Sequence, residues 1–237
     1  QAAFFAIGAY VVGIATTNYG ISFWAALPLA GLVSGLIGTL LAIPALRVRG
    51  PYLAMLTIAF GFIVEQVAAE WVGLTGGWNG LSGIDTPSFM GIALAERGIA
   101  FLALVLTMLT LLFYVRLSRS TWGQAMRAVR DSETAAQSIG FNPVVVRTAA
   151  FTIAAIIAGI AGGVFAVLNT YISPESFPFT QSILFLLAVM IGGAEYAIGP
   201  IIGAVIVVLL PELLSSLAQY RLLFVGLLLL LVLRLAP

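Results

Sequence analysis

Residues 21–43 read ISFWAALPLAGLVSGLIGTLLAI, a run of 23 residues without a charged side chain. A helix needs about 20 apolar residues to cross the hydrocarbon core of a bilayer, so this run is long enough for one crossing. The whole chain shares this character, because 62% of its 237 residues are hydrophobic and only 8% are charged. Soluble domains carry about 25% charged residues, and disordered chains combine low hydrophobicity with high charge. The composition therefore excludes both classes and predicts a membrane protein.

Eight apolar runs are separated by charged residues, glycine or proline, and they lack the alternating pattern of a membrane barrel. We therefore predict an all-α, polytopic transmembrane helix bundle with about eight membrane segments, forming a single domain over residues 1–237. The chain opens without Met and without the basic region of a signal peptide, and we expect it to be a fragment that lacks an N-terminal helix. The runs cover residues 2–16, 21–43, 52–72, 98–115, 147–170, 181–197, 199–218 and 221–235.

All ten positive charges are arginines, and their distribution predicts the orientation of the chain. If residues 116–147 lie in the cytoplasm, only Arg97 and Arg221 lie outside. Eight of the ten arginines then lie on the cytoplasmic side, and an excess of positive charge is typical of cytoplasmic loops. The inner arginines are Arg47, Arg49, Arg116, Arg119, Arg127, Arg130, Arg147 and Arg234.

The same topology places a loop outside at about 73–97. Four glycines lie between residues 74 and 83 of this loop, and they fit either support for a docked protein or simple turn geometry. Within the spans, small residues recur at four-residue spacing, which favours close approach of helix backbones. These are Gly31 and Gly35; Ala155, Gly159 and Gly163; and Gly199 and Gly203.

The chain has no Cys, His or Lys. Thiol nucleophiles, thiolate metal sites and the commonest general base are thus absent, and we predict neither catalytic residues nor a metal site. A Walker A motif requires Lys, so an ATP-driven role needs separate ATPase chains. The net charge of +1 is too small to suggest nucleic acid as a partner.

Residues 116–147 contain seven of the nineteen charged residues. Thr121 with Gln124 fits a capping box, Asp131 can cap a second helix, and Gly140 fits a left-handed stop before Pro143. We expect two short amphipathic helices beneath the bundle. Their arginines suit either a groove on another protein or lipid headgroups, because the positive-inside bias accounts for them without a protein partner.

The sequence GQAMRAVRDSETAAQSIG, residues 123–140, resembles the coupling segment of branched-chain amino acid ABC importer permeases of the LivM type. In that family the pattern G-x-A-x-R-A-x-R-D-x-E-x-A-A-x-x-x-G forms helices that dock on the ATPase subunits. Residues 1–10, 46–61 and 74–84 resemble the same family, although Phe62 replaces a frequent acidic residue, and Asp85 and Thr86 separate the glycine-rich stretch from Pro87. The resemblance predicts a coupling segment at about 117–146 and assigns coupling to the ATPase to Gly123, Arg127, Arg130, Asp131, Glu133, Ala135, Ala136 and Gly140.

The resemblance implies a membrane-spanning permease subunit of an ATP-driven importer for branched-chain or related amino acids, working by alternating access in a bacterial or archaeal inner membrane. The implied partners are a second permease subunit of the LivH type, two ATP-binding subunits and a periplasmic or lipid-anchored solute-binding protein. ATP and Mg would bind to the ATPase subunits, and this chain would hold no cofactor. Urea or short amides remain alternative substrates, and an ion-gradient-driven secondary transporter remains an alternative class.

Three polar residues inside the predicted spans are candidates for the translocation path: Glu65, Gln66 and Asn169. A charge at the bilayer centre costs about 2.5–3.5 kcal/mol on insertion scales and usually faces protein or water. Glu65 fits either the path or a buried hydrogen-bond network. Positions 65 and 70 lie about 140° apart on a helix, so the two carboxylates are not expected to pair. The break at residues 195–200 fits a gate, a cytoplasmic contact or a tight turn.

Overall fold

The computed structural model describes residues 1–45, 51–89, 92–193 and 196–213, and most of these residues are helical. Contacts divide the chain into two units, Gln1–Phe179 and Thr180–Pro237. The helices within the described ranges are α1 Ala2–Thr17, α2 Phe23–Ala45, α3 Pro51–Glu70, α4 Val72–Thr75, α5 Glu96–Arg119, α6 Thr121–Asp131, α7 Glu133–Ser138, α8 Pro143–Asn169, α9 Phe179–Gly192 and α10 Gly199–Leu213.

Four helical stretches are long and apolar enough to cross a membrane: Phe23–Pro44, Glu96–Arg119, Pro143–Asn169 and Pro174–Gly192. The stretches Met55–Glu70 and Val72–Asn79 meet at a bend of 80°. Counted together as one broken span, they raise the number of crossings to five. The all-helical membrane fold is therefore confirmed.

The count of about eight membrane segments is not confirmed. The helices Ala2–Thr17 and Gly199–Leu209 are apolar but shorter than a candidate membrane span. The count differs because an apolar run in the sequence does not determine where a helix starts and stops. The run at 221–235 lies outside the described residues, as do Arg47, Arg49, Arg221 and Arg234.

The core of the first unit is the mutual packing of α1, α2 and α8. A side chain at Gly8 would collide with the backbone of Gly159, and one at Gly162 would collide with the carbonyl of Phe5. Ser34 and Ala155 are completely buried. Backbones this close gain van der Waals contact, which stabilises the packing because no hydrophobic force acts between helices in lipid. The packing role predicted for the small residues of α8 is confirmed.

Small residues also bring helices together at the other predicted positions. Gly31 and Gly35 of α2 face the side chains of Ile160 and Ile156 on α8. In the second unit, Gly203 of α10 lies against the carbonyl of Ala188, and the backbones of Gly192 and Gly199 meet. These contacts make α9 and α10 a tightly packed helical hairpin.

The loop that the sequence predicts to lie outside contains turns and takes part in two short antiparallel strand pairs. Strand β1, Leu81–Ser82, pairs with β4, Tyr171–Ile172, while β2, Ser88–Phe89, pairs with β3, Ile92–Ala93. Gly80 has a φ of +69°, and a Cβ there would collide with the carbonyl of Ile172. Turn geometry therefore accounts for this glycine without a docked partner.

Candidate functional site

The segment between α5 and α8 forms two short helices, as predicted, and a serine caps the N-terminus of each. Ser120 Oγ accepts a hydrogen bond from the backbone N–H of Gly123 at 3.4 Å and caps α6. Ser132 Oγ accepts one from Ala135 N–H at 3.3 Å and caps α7. The predicted caps, Thr121 and Asp131, were wrong by one residue. Thr121 is the first residue of α6 and Asp131 is its last, whereas a capping position requires the extended backbone seen at Ser120 and Ser132.

The end of this segment matches its sequence signals. Gly140 has a φ of +90°, the left-handed conformation that ends many helices, and its N–H donates to the carbonyl of Gln137. Asn142 Oδ1 accepts a hydrogen bond from Val144 N–H at 3.0 Å, and Pro143 is the first residue of α8. The predicted glycine stop is confirmed, and Pro143 begins the next helix rather than only ending the previous one.

A small hydrophobic core holds α6 and α7 against the start of α8. Its buried members are Ala125, Val129, Ala136 and Val146, with Phe141 partly buried beside them. Because the four come from three consecutive helices, the segment is a folded unit and not a loose loop.

Glu133 and Gly123 help to hold this unit in place. The carboxylate of Glu133 forms an ion pair with the guanidinium of Arg147, which connects α7 to α8. Gly123 is buried, and a Cβ there would collide with the carbonyl oxygens of Leu117 and Ser118 at the end of α5. Among the residues that the sequence assigned to coupling, Gly123, Glu133 and Ala136 therefore position the helices.

The other five candidates, Arg127, Arg130, Asp131, Ala135 and Gly140, are exposed. Arg130 Nε and Asp131 Oδ1 are 3.1 Å apart at the end of α6. Arg127 makes no hydrogen bond or ion pair within the described part of the chain. These five residues lie on the surface of the segment.

The structure adds an apolar groove that sequence reasoning missed. The groove has a volume of about 330 Å³ and lies between the start of α6 and the start of α8. Nearby, Ile139 is 69% exposed. The groove could have been predicted from the large apolar residues that occur in this otherwise polar segment. The groove is lined by Thr121, Trp122, Ala125, Gly140, Phe141, Asn142, Val145 and Val146.

The three translocation-path candidates differ in their contacts. Gln66 Nε2 donates to Glu70 Oε1 at 2.8 Å, one helical turn away. Asn169 Nδ2 donates to the carbonyl of Phe165 in its own helix at 2.9 Å. Glu65 is half-buried and has no hydrogen-bond or ion-pair partner within the described ranges. Nothing in these contacts brings the three residues together.

No group of three metal-ligating side chains occurs among the residues that the structure describes. The apolar helices, the backbone-to-backbone glycine packing and the charged helix pair beside them define the general class, a multi-pass membrane protein. The profile of the family described as branched-chain amino acid transport system / permease component matches residues 1–233. The chain belongs to this family.

Individual relatives agree with the family match. The chain is 37% identical over 247 aligned residues to the high-affinity branched-chain amino acid transport system permease protein LivM of Salmonella typhimurium strain LT2, covering 94% of this chain and 58% of the relative. It is 36% identical to the LivM protein of Escherichia coli strain K12, with the same coverage. It is also 24% identical to a probable LivH permease protein of Methanocaldococcus jannaschii, over 87% of this chain and 68% of that protein.

The chain thus spans less than two thirds of the length of the two LivM proteins. No solved structure matches the chain.

Proposed function

We propose that the chain is part of the membrane-spanning permease subunit of an ATP-driven importer for branched-chain or related amino acids. The observation that carries this proposal is the family match over residues 1–233. The names of the LivM relatives support the substrate class. The absence of Lys, and hence of a Walker A motif, from residues 1–237 supports ATP hydrolysis on other subunits.

The complete transporter, in this proposal, contains a second permease subunit of the LivH type, two ATP-binding subunits and a periplasmic or lipid-anchored solute-binding protein, in the inner membrane of a bacterial or archaeal cell. The similarity of one chain to both LivM and LivH proteins supports a pair of related permeases. ATP and Mg bind to the ATPase subunits, and this chain holds no cofactor. The loop at about 73–97 faces the periplasm, and residues 1–237 lie in one permease domain.

The coupling segment, residues 117–146, transmits the ATPase cycle to the bundle. The exposed side chains of α6 and α7 and the groove beside Trp122 contact the ATPase, because together they offer both charged and apolar surface. The ion pair between Glu133 and Arg147 and the small core around Ala136 make α7 move with α8. Helix α8 is packed closely on α1 and α2, so a displacement of α7 reaches the centre of the bundle and changes which side of the membrane is open.

Glu65 is the best-supported contact for the substrate among the path candidates. Its carboxylate can attract the ammonium group of an amino acid, and a charge within a membrane helix usually faces protein or water. Gln66 and Asn169 retain a place in the proposal with weaker support, because each amide already has a partner in its own helix.

The proposal is tested with the complete transporter in proteoliposomes that contain ATP. We expect uptake of radiolabelled leucine that requires ATP and the solute-binding protein and persists after a protonophore is added. Uptake driven by an imposed proton or sodium gradient without ATP would replace the proposal with a secondary transporter. ATP-dependent uptake of urea or acetamide, with none of leucine, would keep the ABC class and reject the amino acid substrate.

A further inference from the structure

We propose that Arg116 and Arg119, at the inner end of α5, form a site for the headgroup of an anionic phospholipid. The first support is the depth of these residues. Arg97 and Arg116 lie at opposite ends of α5, and nineteen residues of helix span about 28 Å. The hydrocarbon core is about 30 Å thick. Arg116 therefore lies at the inner membrane interface, with Arg119 one turn farther toward the cytoplasm.

The second support is the surface of α5. Ile99 is its buried side chain, and large apolar residues such as Leu104, Leu112 and Phe113 are exposed along its length. An acyl chain can pack along this surface while its phosphate meets the two guanidinium groups. Tyr114 is also exposed just before Arg116, in the position where aromatic residues are enriched at membrane interfaces.

The third support is the balance of charge. The segment 116–147 has five arginines and two carboxylates. Arg130 is paired with Asp131, and Arg147 with Glu133. Arg116 and Arg119 are exposed and make no hydrogen bond or ion pair with any described residue. Two unneutralised guanidinium groups three residues apart lie on one face of a helix, and they complement a phosphate and a negatively charged headgroup.

Arg119 falls within the segment 117–146, but both arginines belong to α5 and neither is among the residues assigned to the ATPase. The test measures lipid binding and not transport. Arg127 lies beyond the end of α5, in α6, and belongs to the coupling surface. The purified transporter complex is incubated with dioleoyl phosphatidylglycerol or dioleoyl phosphatidylcholine, and bound lipid is counted by native mass spectrometry. Each arginine near an anionic membrane surface contributes about 1 kcal/mol, so R116Q/R119Q should weaken phosphatidylglycerol binding about 30-fold. R116K/R119K should retain most of the binding.

The matched control is R127Q/R130Q, which removes the same charge and should leave the preference for phosphatidylglycerol unchanged. Equal binding of the two lipids by the unmodified complex would overturn the proposal, as would an unchanged preference in R116Q/R119Q. Loss of the preference in R127Q/R130Q to the same extent would mean that net charge alone attracts the lipid. Displacement of phosphatidylglycerol by millimolar inorganic phosphate would mean a free-anion site, whereas persistence of the lipid supports the proposed site. If R116Q/R119Q does not assemble, R116K/R119K is compared with R127Q/R130Q instead. Equal loss of the preference for phosphatidylglycerol in these two variants would reject the proposal.

Discussion

Replacing Gly123 with alanine tests whether the contact between α5 and α6 positions the coupling segment. The added Cβ would lie 2.5 Å from the carbonyl oxygen of Ser118 and closer still to that of Leu117, far inside van der Waals contact. Overpacking of this kind typically costs about 1–3 kcal/mol, and the better helix propensity of alanine returns up to about 1 kcal/mol. We therefore expect α6 to shift and its local stability to fall by about 1 kcal/mol.

The assay combines hydrogen–deuterium exchange over residues 117–131 with ATP-driven uptake by the complete transporter. Gly73→Ala is the control, because a Cβ at Gly73 has nothing within 4 Å. We expect G123A to raise amide exchange about fivefold in α6 and to lower uptake per ATP hydrolysed, with the complex still assembled. Exchange and uptake equal to those of G73A would refute the positioning role of Gly123.

Three further predictions concern other sites. The hydroxyl of Tyr10 is buried without a hydrogen-bond partner among the described residues, which costs about 1–3 kcal/mol, so Y10F should raise the Tm of the complex; a lower Tm would show that the hydroxyl is bonded. A double-mutant cycle of E133Q and R147Q should give a coupling energy of about 0.5 kcal/mol, as expected for a partly exposed ion pair, and a value of zero would remove the link between α7 and α8. E65Q should lower uptake without lowering the amount of assembled complex, while the control E70Q should preserve uptake; equal uptake in E65Q and the unmodified transporter would make Glu65 structural.

Composition and residue spacing predict the features that depend on solvent and on backbone approach. The excess of apolar residues requires a bilayer, and the small residues Gly159 and Gly163 each contact both α1 and α2. Gly140 adopts the left-handed backbone that its place before Pro143 indicates. Each of these properties follows from a local pattern in the sequence.

Features that depend on tertiary contacts could not be predicted in this way. The N-caps lie one residue away from the predicted ones, because Ser120 and Ser132, next to Thr121 and Asp131, are equally suited to the role. Glu133 was assigned to a partner protein, yet its charge is paired within the chain. A motif identifies residues that serve one function, but it does not separate those that touch the partner from those that hold the surface in place.

Cross-linking from the exposed face of α7 tests the central proposal most directly. This chain has no Cys, so a single cysteine can be placed at Ala135 or Gln137, both exposed, with any cysteine elsewhere in the complete permease replaced. Ser132 is unsuitable, because its side chain caps α7. A cysteine at exposed Asp85, in the loop predicted to lie outside, is the control. We expect the two α7 cysteines to cross-link to the ATPase subunit with a yield that changes when ATP binds, and the control to give no product. Absence of a cross-link in an assembled complex, with both cysteines reactive toward a maleimide, would contradict coupling through this segment.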